Sequence, residues 1–316
     1  MFEKIIKEIE NANSIVIVGH IRPDGDCYGS QIGLKTAIMD NFIGKKVYAV
    51  GSGLPFFFNI LSEMDEVTPE IVENSLIIIV DLGELKRVDS ELVKQYGKHF
   101  VVVDHHIKSY EIPYEHVVDE NACSACELVT KLILEAGWVI SPTCASALYL
   151  GINTDTARFQ YLANFAEMFK ICALLCEKGA DPKKINDILN LSPESKLVVQ
   201  GYALTHYKKT DGGVIYLHIT KQDLKRLNIQ PAIGSLIINL IGNIYNYPIW
   251  ATFIETEEDS LVMEFRSNTY NVQEVASRHG GGGHRLASGL TLKKYTSSDI
   301  DMILGELEDL IKEGKE

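Results

Sequence analysis

The fold is decided by the stretch SIVIVGHIRPDGDCYGSQIGLKTAIM, residues 14–39. The apolar run Ser14–Val18 predicts a buried strand, and apolar residues at helical spacing within Ser30–Met39 predict a helix. Pro23 and Gly25 mark the residues between them as a strand-to-helix loop. Repetition of this strand–helix unit builds parallel sheets, so the stretch predicts an α/β protein.

The loop itself carries one imidazole and two carboxylates, on His20, Asp24 and Asp26. Like charges held together at a strand end are costly, and a divalent cation would offset that cost. Oxygen and imidazole donors without a thiolate favour Mn²⁺ or Mg²⁺ over a structural Zn²⁺ site. The alternative is a solvated loop whose aspartates cap the helix.

The first half of the chain repeats the same alternation of apolar runs and helical segments. Further strands are predicted at Lys46–Val50, Leu76–Val80 and His99–Val103, and helices at Phe2–Glu10, Ser124–Ala136, Thr143–Gly151 and Phe165–Glu177. The pattern predicts a mostly parallel sheet with helices on both faces.

The pattern changes after a boundary within residues 190–209, where Leu197–Tyr207 is predicted as a connecting helix. Beyond it, strands are predicted at Gly213–Ile219, Ala251–Glu255 and Ser260–Phe265, and helices at Lys221–Leu227, Ile233–Gly242, Asn271–Ser277 and Ser298–Lys312. We therefore expect a catalytic domain over residues 1–192, a linker helix over 193–209 and a smaller α/β domain over 210–316.

The composition of the chain limits which molecules the protein is expected to bind. The chain has 316 residues, 46% hydrophobic and 23% charged, with a net charge of −13. Such acidity argues against binding long duplex nucleic acid, although a short anionic ligand held by metal and a few arginines stays possible. The apolar runs are too short to span a bilayer, and no signal peptide is apparent, so we expect a cytoplasmic protein that does not bind membranes.

The six cysteines fit a reducing compartment, because their spacing shows no disulfide framework. Cys123 and Cys126 have the spacing of a zinc or redox pair. No second pair accompanies them, so helix-start packing is the preferred interpretation. Cys172 and Cys176 lie four residues apart on an apolar helical face and are expected in the core.

More metal-ligand residues follow the later apolar segments. Asp81 ends one predicted strand, Asp104-His105-His106 ends the next, and Asp155 follows a helix. Ligands of α/β sheets bind at the carboxyl ends of the strands, so these side chains should meet at one edge. Six of them suffice for two metals about 4 Å apart, and they are His20, Asp24, Asp26, Asp81, His105 and Asp155.

Four carboxylates opposite two divalent cations leave the cluster near neutral, so it can accept a phosphate. Two cations would stabilise the attacking and leaving oxygens of a hydrolysis. His106 is better placed as a phosphate contact or proton donor. Asp104 is expected to position the histidines, and Asp81 to bridge the metals.

These motifs resemble those of the DHH phosphoesterase superfamily: His-x-x-x-Asp-Gly-Asp at 20–26, Asp81, Asp104-His105-His106 and Asp155-Thr156. The resemblance implies that the six predicted ligands bind two Mn²⁺, with Mg²⁺ or Co²⁺ as possible substitutes, and that His106 contacts the phosphate. The second half resembles the DHH-associated domain in Gly280-Gly281-Gly282-Gly283-His284 and Ala287-Ser288-Gly289. Cys27, Ile107, Ala157 and Ser288 depart from the commoner residues, and none is a predicted ligand.

Length and layout then imply a stand-alone two-domain enzyme. One such group hydrolyses short oligoribonucleotides (nanoRNA) to 5′-mononucleotides and removes phosphate from 3′-phosphoadenosine-5′-phosphate. Phosphodiesterases of cyclic di-AMP or linear pApA are the alternative. A third interpretation, from another functional class, is a non-catalytic, metal-dependent nucleotide-binding protein. The protein could also form a homodimer.

Substrate-binding residues are expected mainly in the second domain. The glycines at 281–283 can present backbone N–H groups in a concave nest beside His284, or simply form a hairpin. The resemblance implies that Arg266 and Ser267 hold the far end of the substrate across a cleft between the domains. Arg158 and Arg22 are predicted phosphate contacts, because a guanidinium matches phosphate geometry.

Overall fold

We describe the protein from a computed structural model. The structure describes residues 1–53, 61–106, 111–160, 164–191, 194–230, 237–256 and 259–314. The chain forms two compact units, Met1–Leu191 and Ser192–Glu316.

The first unit contains an all-parallel sheet. Its described strands are β1 (Ser14–Val18), β2 (Lys46–Val50), β3 (Leu76–Val80), β4 (His99–Asp104) and β5 (Glu115–Val118), in the order β2-β1-β3-β4-β5. The predicted parallel α/β class is confirmed. The sequence analysis missed β5, a four-residue edge strand on which only Val117 is buried, because so short a segment carries little periodicity.

Helices cover both faces of this sheet. They are α1 (Glu3–Asn11), α2 (Gly25–Asn41), α3 (Pro69–Glu73), α4 (Glu91–Tyr96), α5 (Ala125–Glu135), α6 (Pro142–Asp155), α7 (Phe165–Glu177) and α8 (Pro182–Leu189). Along β1, Ile15 and Ile17 face the larger core, which contains α2, α5 and α6. Val16 and Val18 face a second core with α3 and α4. Burial on both faces explains the unbroken apolar strands.

Helix α2 begins at Gly25, five residues before the predicted start at Ser30. Asp24 is its N-cap, and the carboxylate accepts hydrogen bonds from the backbone N–H groups of Asp26 and Cys27, both at 3.0 Å. The cap satisfies two amides that would otherwise lack partners, so the helix can start among polar residues. Asp26 therefore lies in the first helical turn and not in a loop.

Small residues bring α2 and α6 unusually close together. A Cβ at Gly29 would lie 2.5 Å from the Ala147 carbonyl oxygen, and one at Gly33 would lie 2.7 Å from a Leu148 methyl group. Only glycine permits such an approach between a helix backbone and its neighbour. This packing places the first turn of α2 next to the C-terminal half of α6.

The second unit has a mixed sheet in the order β10-β11-β9-β8-β7-β6 over its described residues, with only β7 and β8 parallel. The elements are α9 (Glu194–His206), β6 (Lys208–Lys209), β7 (Val214–Ile219), α10 (Lys221–Leu227), β8 (Ile249–Glu255), β9 (Ser260–Ser267), α11 (Gln273–Arg278), β10 (Gly282–His284), β11 (Ala287–Lys293) and α12 (Ser297–Lys312). Two hydrophobic cores cover its faces.

One predicted helix in this unit is only partly observable. Residues 233–236 of the predicted helix Ile233–Gly242 lie outside the described residues, and Ile238–Leu240 forms a single 3₁₀ turn. In the described part of the chain, no helix has both the length and the apolar character needed to cross a membrane.

Candidate metal centre

Asp81 lies at the centre of the polar cluster at the carboxyl edge of the parallel sheet. It directly follows β3, is 2% exposed and has a φ of 52°, a left-handed conformation that aspartate tolerates. One carboxylate oxygen is 3.4 Å from His20 Nε2 and the other is 3.5 Å from His105 Nε2. Asp81 thus contacts both predicted histidine ligands, one with each oxygen.

His105 joins this centre to two further carboxylates. Its Nε2 lies 3.7 Å from Asp26 Oδ2 and 3.5 Å from Asp155 Oδ2. Asp24 is more peripheral: Oδ2 is 3.9 Å from His20 Nε2, and its side chain is 58% exposed. The fold therefore brings together all six side chains predicted from the sequence, with Asp24 at the rim.

Backbone carbonyls orient both histidine rings. His20 Nδ1 donates to the carbonyl oxygen of Ile21 at 2.9 Å, and His105 Nδ1 to that of Ala122 at 3.3 Å. Because a carbonyl can only accept, Nδ1 carries a proton in both rings, and Nε2 is the nitrogen that faces the carboxylates and would bind a metal once its own proton is displaced. The tautomer that then remains, with its proton on Nδ1, is the one that a metal-ligating histidine needs.

Asp104 holds His106 in place. Asp104 Oδ1 accepts from the backbone N–H groups of Leu82 and His105, at 3.1 and 2.8 Å, and from His106 Nδ1 at 2.8 Å. The hydrogen bond to Asp104 is the main reason that the pKa of His106 is raised. His106 Nε2 is left as a second N–H donor.

Asp26 is held by a helix that the sequence analysis did not connect with it. Its Oδ2 accepts from the N–H of Ala125 at 2.6 Å and its Oδ1 from that of Cys126 at 2.9 Å, in the first turn of α5. The partial positive charge of a helix N-terminus suits a carboxylate. Nothing in the local sequence signals this contact, which spans a hundred residues.

The cluster is short of positive charge. Burial, followed by the neighbouring carboxylates, raises the pKa of Asp26 well above its usual value, and burial is the main cause that raises the pKa of Asp155 to about 6. Burial opposes protonation of His20 and His105, but the hydrogen bonds to Asp81 together with the neighbouring carboxylates outweigh it, and the pKa values are raised to about 9 and about 10. Crowded carboxylates beside oriented imidazoles fit divalent cations.

Three sets of donor atoms, each within 4.8 Å of one another, are present in the described residues. Asp26, His105 and Asp155 form one, and Asp81, His105 and His106 form another. The third comprises His20, Asp81 and the thiol of Cys27. A thiol that was not among the predicted ligands therefore lies beside the centre on its His20 side.

The predicted arginine contacts lie in strained backbone. Arg22 is exposed with a φ of 57°. Ala157, Arg158 and Phe159 are consecutive left-handed residues, an arrangement that costs about 1–2 kcal/mol for each L-residue. The Arg158 guanidinium donates to Asn190 Oδ1 at 2.7 Å.

In the second unit the glycine segment forms an edge strand instead of a nest. Gly282–His284 make up β10, which is exposed and pairs antiparallel with β11, so the hairpin alternative is the observed one. Arg266 donates to Glu264 at 3.1 Å. The hydroxyl of Ser267 is engaged by backbone groups, since it donates to the Pro248 carbonyl and accepts from the N–H groups of Thr269 and Tyr270.

Taken together, the parallel sheet and the cluster of carboxylates and imidazoles at its carboxyl edge define an α/β protein with side chains grouped closely enough to hold metal ions. The sequence profile described as "DHH family, N-terminal domain" matches residues 14–152, and the DHHA1 domain profile matches residues 211–313. The chain belongs to the DHH family.

Similar proteins cover the whole length of the chain. It is 35% identical to the bifunctional oligoribonuclease and PAP phosphatase NrnA of Mycoplasma pneumoniae, over 91% of this chain and 90% of that protein. It is 31% identical to the NrnA of Bacillus subtilis, over 99% of both. A crystal structure of an exopolyphosphatase-related protein from Bacteroides fragilis superimposes with a TM-score of 0.88 at 26% identity, covering 98% and 97% of the two chains.

Proposed function

We propose that this protein is a manganese-dependent phosphodiesterase that hydrolyses short oligoribonucleotides, from dinucleotides to about pentanucleotides, to 5′-mononucleotides. We include removal of phosphate from 3′-phosphoadenosine-5′-phosphate in the proposal. The observation that carries it is the contact of Asp81 with both oriented histidines. The identity to two bifunctional oligoribonuclease and PAP phosphatase proteins supports the choice of substrate.

The six predicted ligands would hold two cations, with Asp81 shared between them. His20 and Asp24 lie on one side of Asp81, and Asp26, His105 and Asp155 lie on the other. When bound, two divalent cations supply Lewis-acid stabilisation of the attacking and leaving oxygens. The chain supplies the rigid donor positions, since amides of α5 hold Asp26 and backbone carbonyls hold the imidazoles.

His106 is the residue that we assign to the substrate phosphate. Asp104 occupies its Nδ1, raises its pKa and leaves Nε2 free to donate a proton or a hydrogen bond to a phosphate oxygen. Asp104 is itself fixed by two backbone N–H groups, so the pair keeps its orientation while the substrate changes. We assign Asp104 as a positioning residue.

We further propose that residues 1–192 form the catalytic domain and residues 210–316 the substrate-binding domain. Residues 193–209 would form the helix that links the two domains. Arg266, the glycine segment at 281–283 and His284 are the proposed nucleotide contacts there, with Arg22 and Arg158 as phosphate contacts in the first unit. The residues of β10 are exposed, and the His284 imidazole among them can donate to an anionic ligand.

One assay tests the proposal. Purified protein with Mn²⁺ is incubated with pApA, adenylate oligomers of graded length, a long structured RNA, 3′-phosphoadenosine-5′-phosphate and cyclic di-AMP, and the products are separated by chromatography. We expect mononucleotides from the short oligomers and slower turnover of long RNA. Fastest turnover of cyclic di-AMP would instead favour a second-messenger phosphodiesterase, and binding without turnover a nucleotide-binding protein.

A further inference from the structure

Cys27 places a thiol against two of the proposed metal ligands. Its sulfur, a ring nitrogen of His20 and a carboxylate oxygen of Asp81 all lie within 4.8 Å of one another. An ion at the centre of such a triangle is roughly 2.8 Å or less from each atom, close to Zn²⁺–ligand distances of about 2.0–2.3 Å. All three side chains are buried, and Cys27 is 0% exposed.

Hydrogen bonds around Cys27 fix the position of its sulfur atom beside His20. Cys27 lies in the first turn of the long helix α2, where its backbone N–H donates to Asp24 Oδ1 at 3.0 Å. Its Sγ accepts from the backbone N–H of His20 at 3.3 Å. Burial, followed by the Asp81 carboxylate, raises the pKa of the Cys27 thiol. The thiolate is therefore expected only when a bound cation supplies the compensating positive charge.

Two donor sets therefore share the residues His20 and Asp81. Asp24, on the exposed side, adds a hard oxygen. Cys27, on the buried side, adds a soft sulfur. Thiolate and imidazole ligands select Zn²⁺ and related cations, whereas a carboxylate-rich set suits Mn²⁺ and Mg²⁺.

We propose that His20, Cys27 and Asp81 form a site for a thiophilic divalent cation of the Zn²⁺ or Co²⁺ class, bound through the Cys27 thiolate. The inference rests on the proposed function only in taking His20 and Asp81 as metal ligands. On binding, the S–H bond breaks, its proton passes to solvent and a sulfur–metal bond forms, with no change of oxidation state.

The test compares the wild-type protein with Cys27→Ser and with Cys176→Ser, a control that removes an exposed thiol. On titration with Co²⁺, the wild type and the control should show a near-ultraviolet sulfur-to-cobalt charge-transfer band, which Cys27→Ser should lack. Calorimetry should show Zn²⁺ binding weakened about tenfold or more in Cys27→Ser, with Mn²⁺ binding nearly unchanged.

The number of protons released on metal binding can be measured on the wild-type protein, so this test does not depend on whether a variant folds. Zn²⁺ binding to the wild type, measured in buffers of different ionisation enthalpy, should release more protons than Mn²⁺ binding. Cys27→Ala replaces Cys27→Ser if the serine variant fails to melt cooperatively.

The outcomes separate the two proposals. Co²⁺ binding to the wild type without a sulfur band, or a band that persists in Cys27→Ser, overturns the thiolate site and leaves the proposed phosphodiesterase intact. A wild-type protein that binds neither Co²⁺ nor Mn²⁺ overturns both.

Discussion

At the scale of single residues, Asp81 is the central residue of the cluster, because each of its carboxylate oxygens faces a different histidine. Asp81→Asn keeps the size and the left-handed backbone but removes the charge that the two proposed cations would share. We expect kcat on pApA to fall about a thousandfold, equivalent to roughly 4 kcal/mol. Asp40→Asn, at an exposed position near the end of α2, is the control. Near-normal turnover of Asp81→Asn would reject the two-metal assignment.

His284 tests whether the second unit recognises nucleotides. His284→Ala removes an exposed imidazole at the end of β10 and should raise KM for pApA by about tenfold, the cost of roughly one charge-assisted hydrogen bond. Turnover of bis-p-nitrophenyl phosphate, which has no nucleoside, should be unaffected. His206→Ala, an exposed histidine of the same unit, is the matched control. Equal losses on both substrates would assign His284 to the chemistry itself.

The sequence predicted which side chains come together at the edge of the sheet, because each ends or follows an apolar segment whose type was readable. It did not predict what holds them. The hydrogen bonds of Asp26 to α5 and the approach of Cys27 to His20 and Asp81 depend on the packing of distant elements, which periodicity does not encode. The N-cap of α2 at Asp24 was readable, but only as an alternative to metal binding, whereas the carboxylate caps the helix and also lies within reach of His20.

At the scale of elements, the contact between α2 and α6 decides whether Asp26 and Asp155 meet. Gly25, Gly29 and Gly33 recur every four residues along one face of α2, a signal of close helix packing that the sequence analysis did not use. Among the elements that were not predicted are the short β5 and α3, but also the eight-residue α8 and the seven-residue β11.

This packing yields a paired prediction. Gly29→Ala would push a methyl group against the Ala147 carbonyl, and we expect it to lower the free energy of unfolding by about 1–3 kcal/mol. Gly305→Ala, inside α12 with nothing within 4 Å of the new Cβ, should raise it by about 0.5–1 kcal/mol. Urea denaturation measures both. A neutral Gly29→Ala would mean that the two helices can separate without cost.

At the scale of the whole molecule, all proposed metal ligands belong to the unit Met1–Leu191, which has its own hydrophobic cores. Mn²⁺ at a hundred times its dissociation constant should stabilise that unit by about 2.7 kcal/mol, or roughly 5–10 °C in Tm. Differential scanning calorimetry with Mn²⁺ and with EDTA should show this shift in the transition of the first unit. A shift confined to the second unit would place the ions elsewhere.

The hydrogen bonds from the first turn of α5 to Asp26 have a consequence while the chain is being translated. The amides that hold this carboxylate are encoded a hundred residues after it, and Asp155 follows thirty residues later still. A growing chain that has exposed only its first strands and helices offers isolated acids and imidazoles in place of a formed centre. Binding of the proposed ions by all six ligands would therefore have to wait until α6 has emerged from the ribosome and packed against α2.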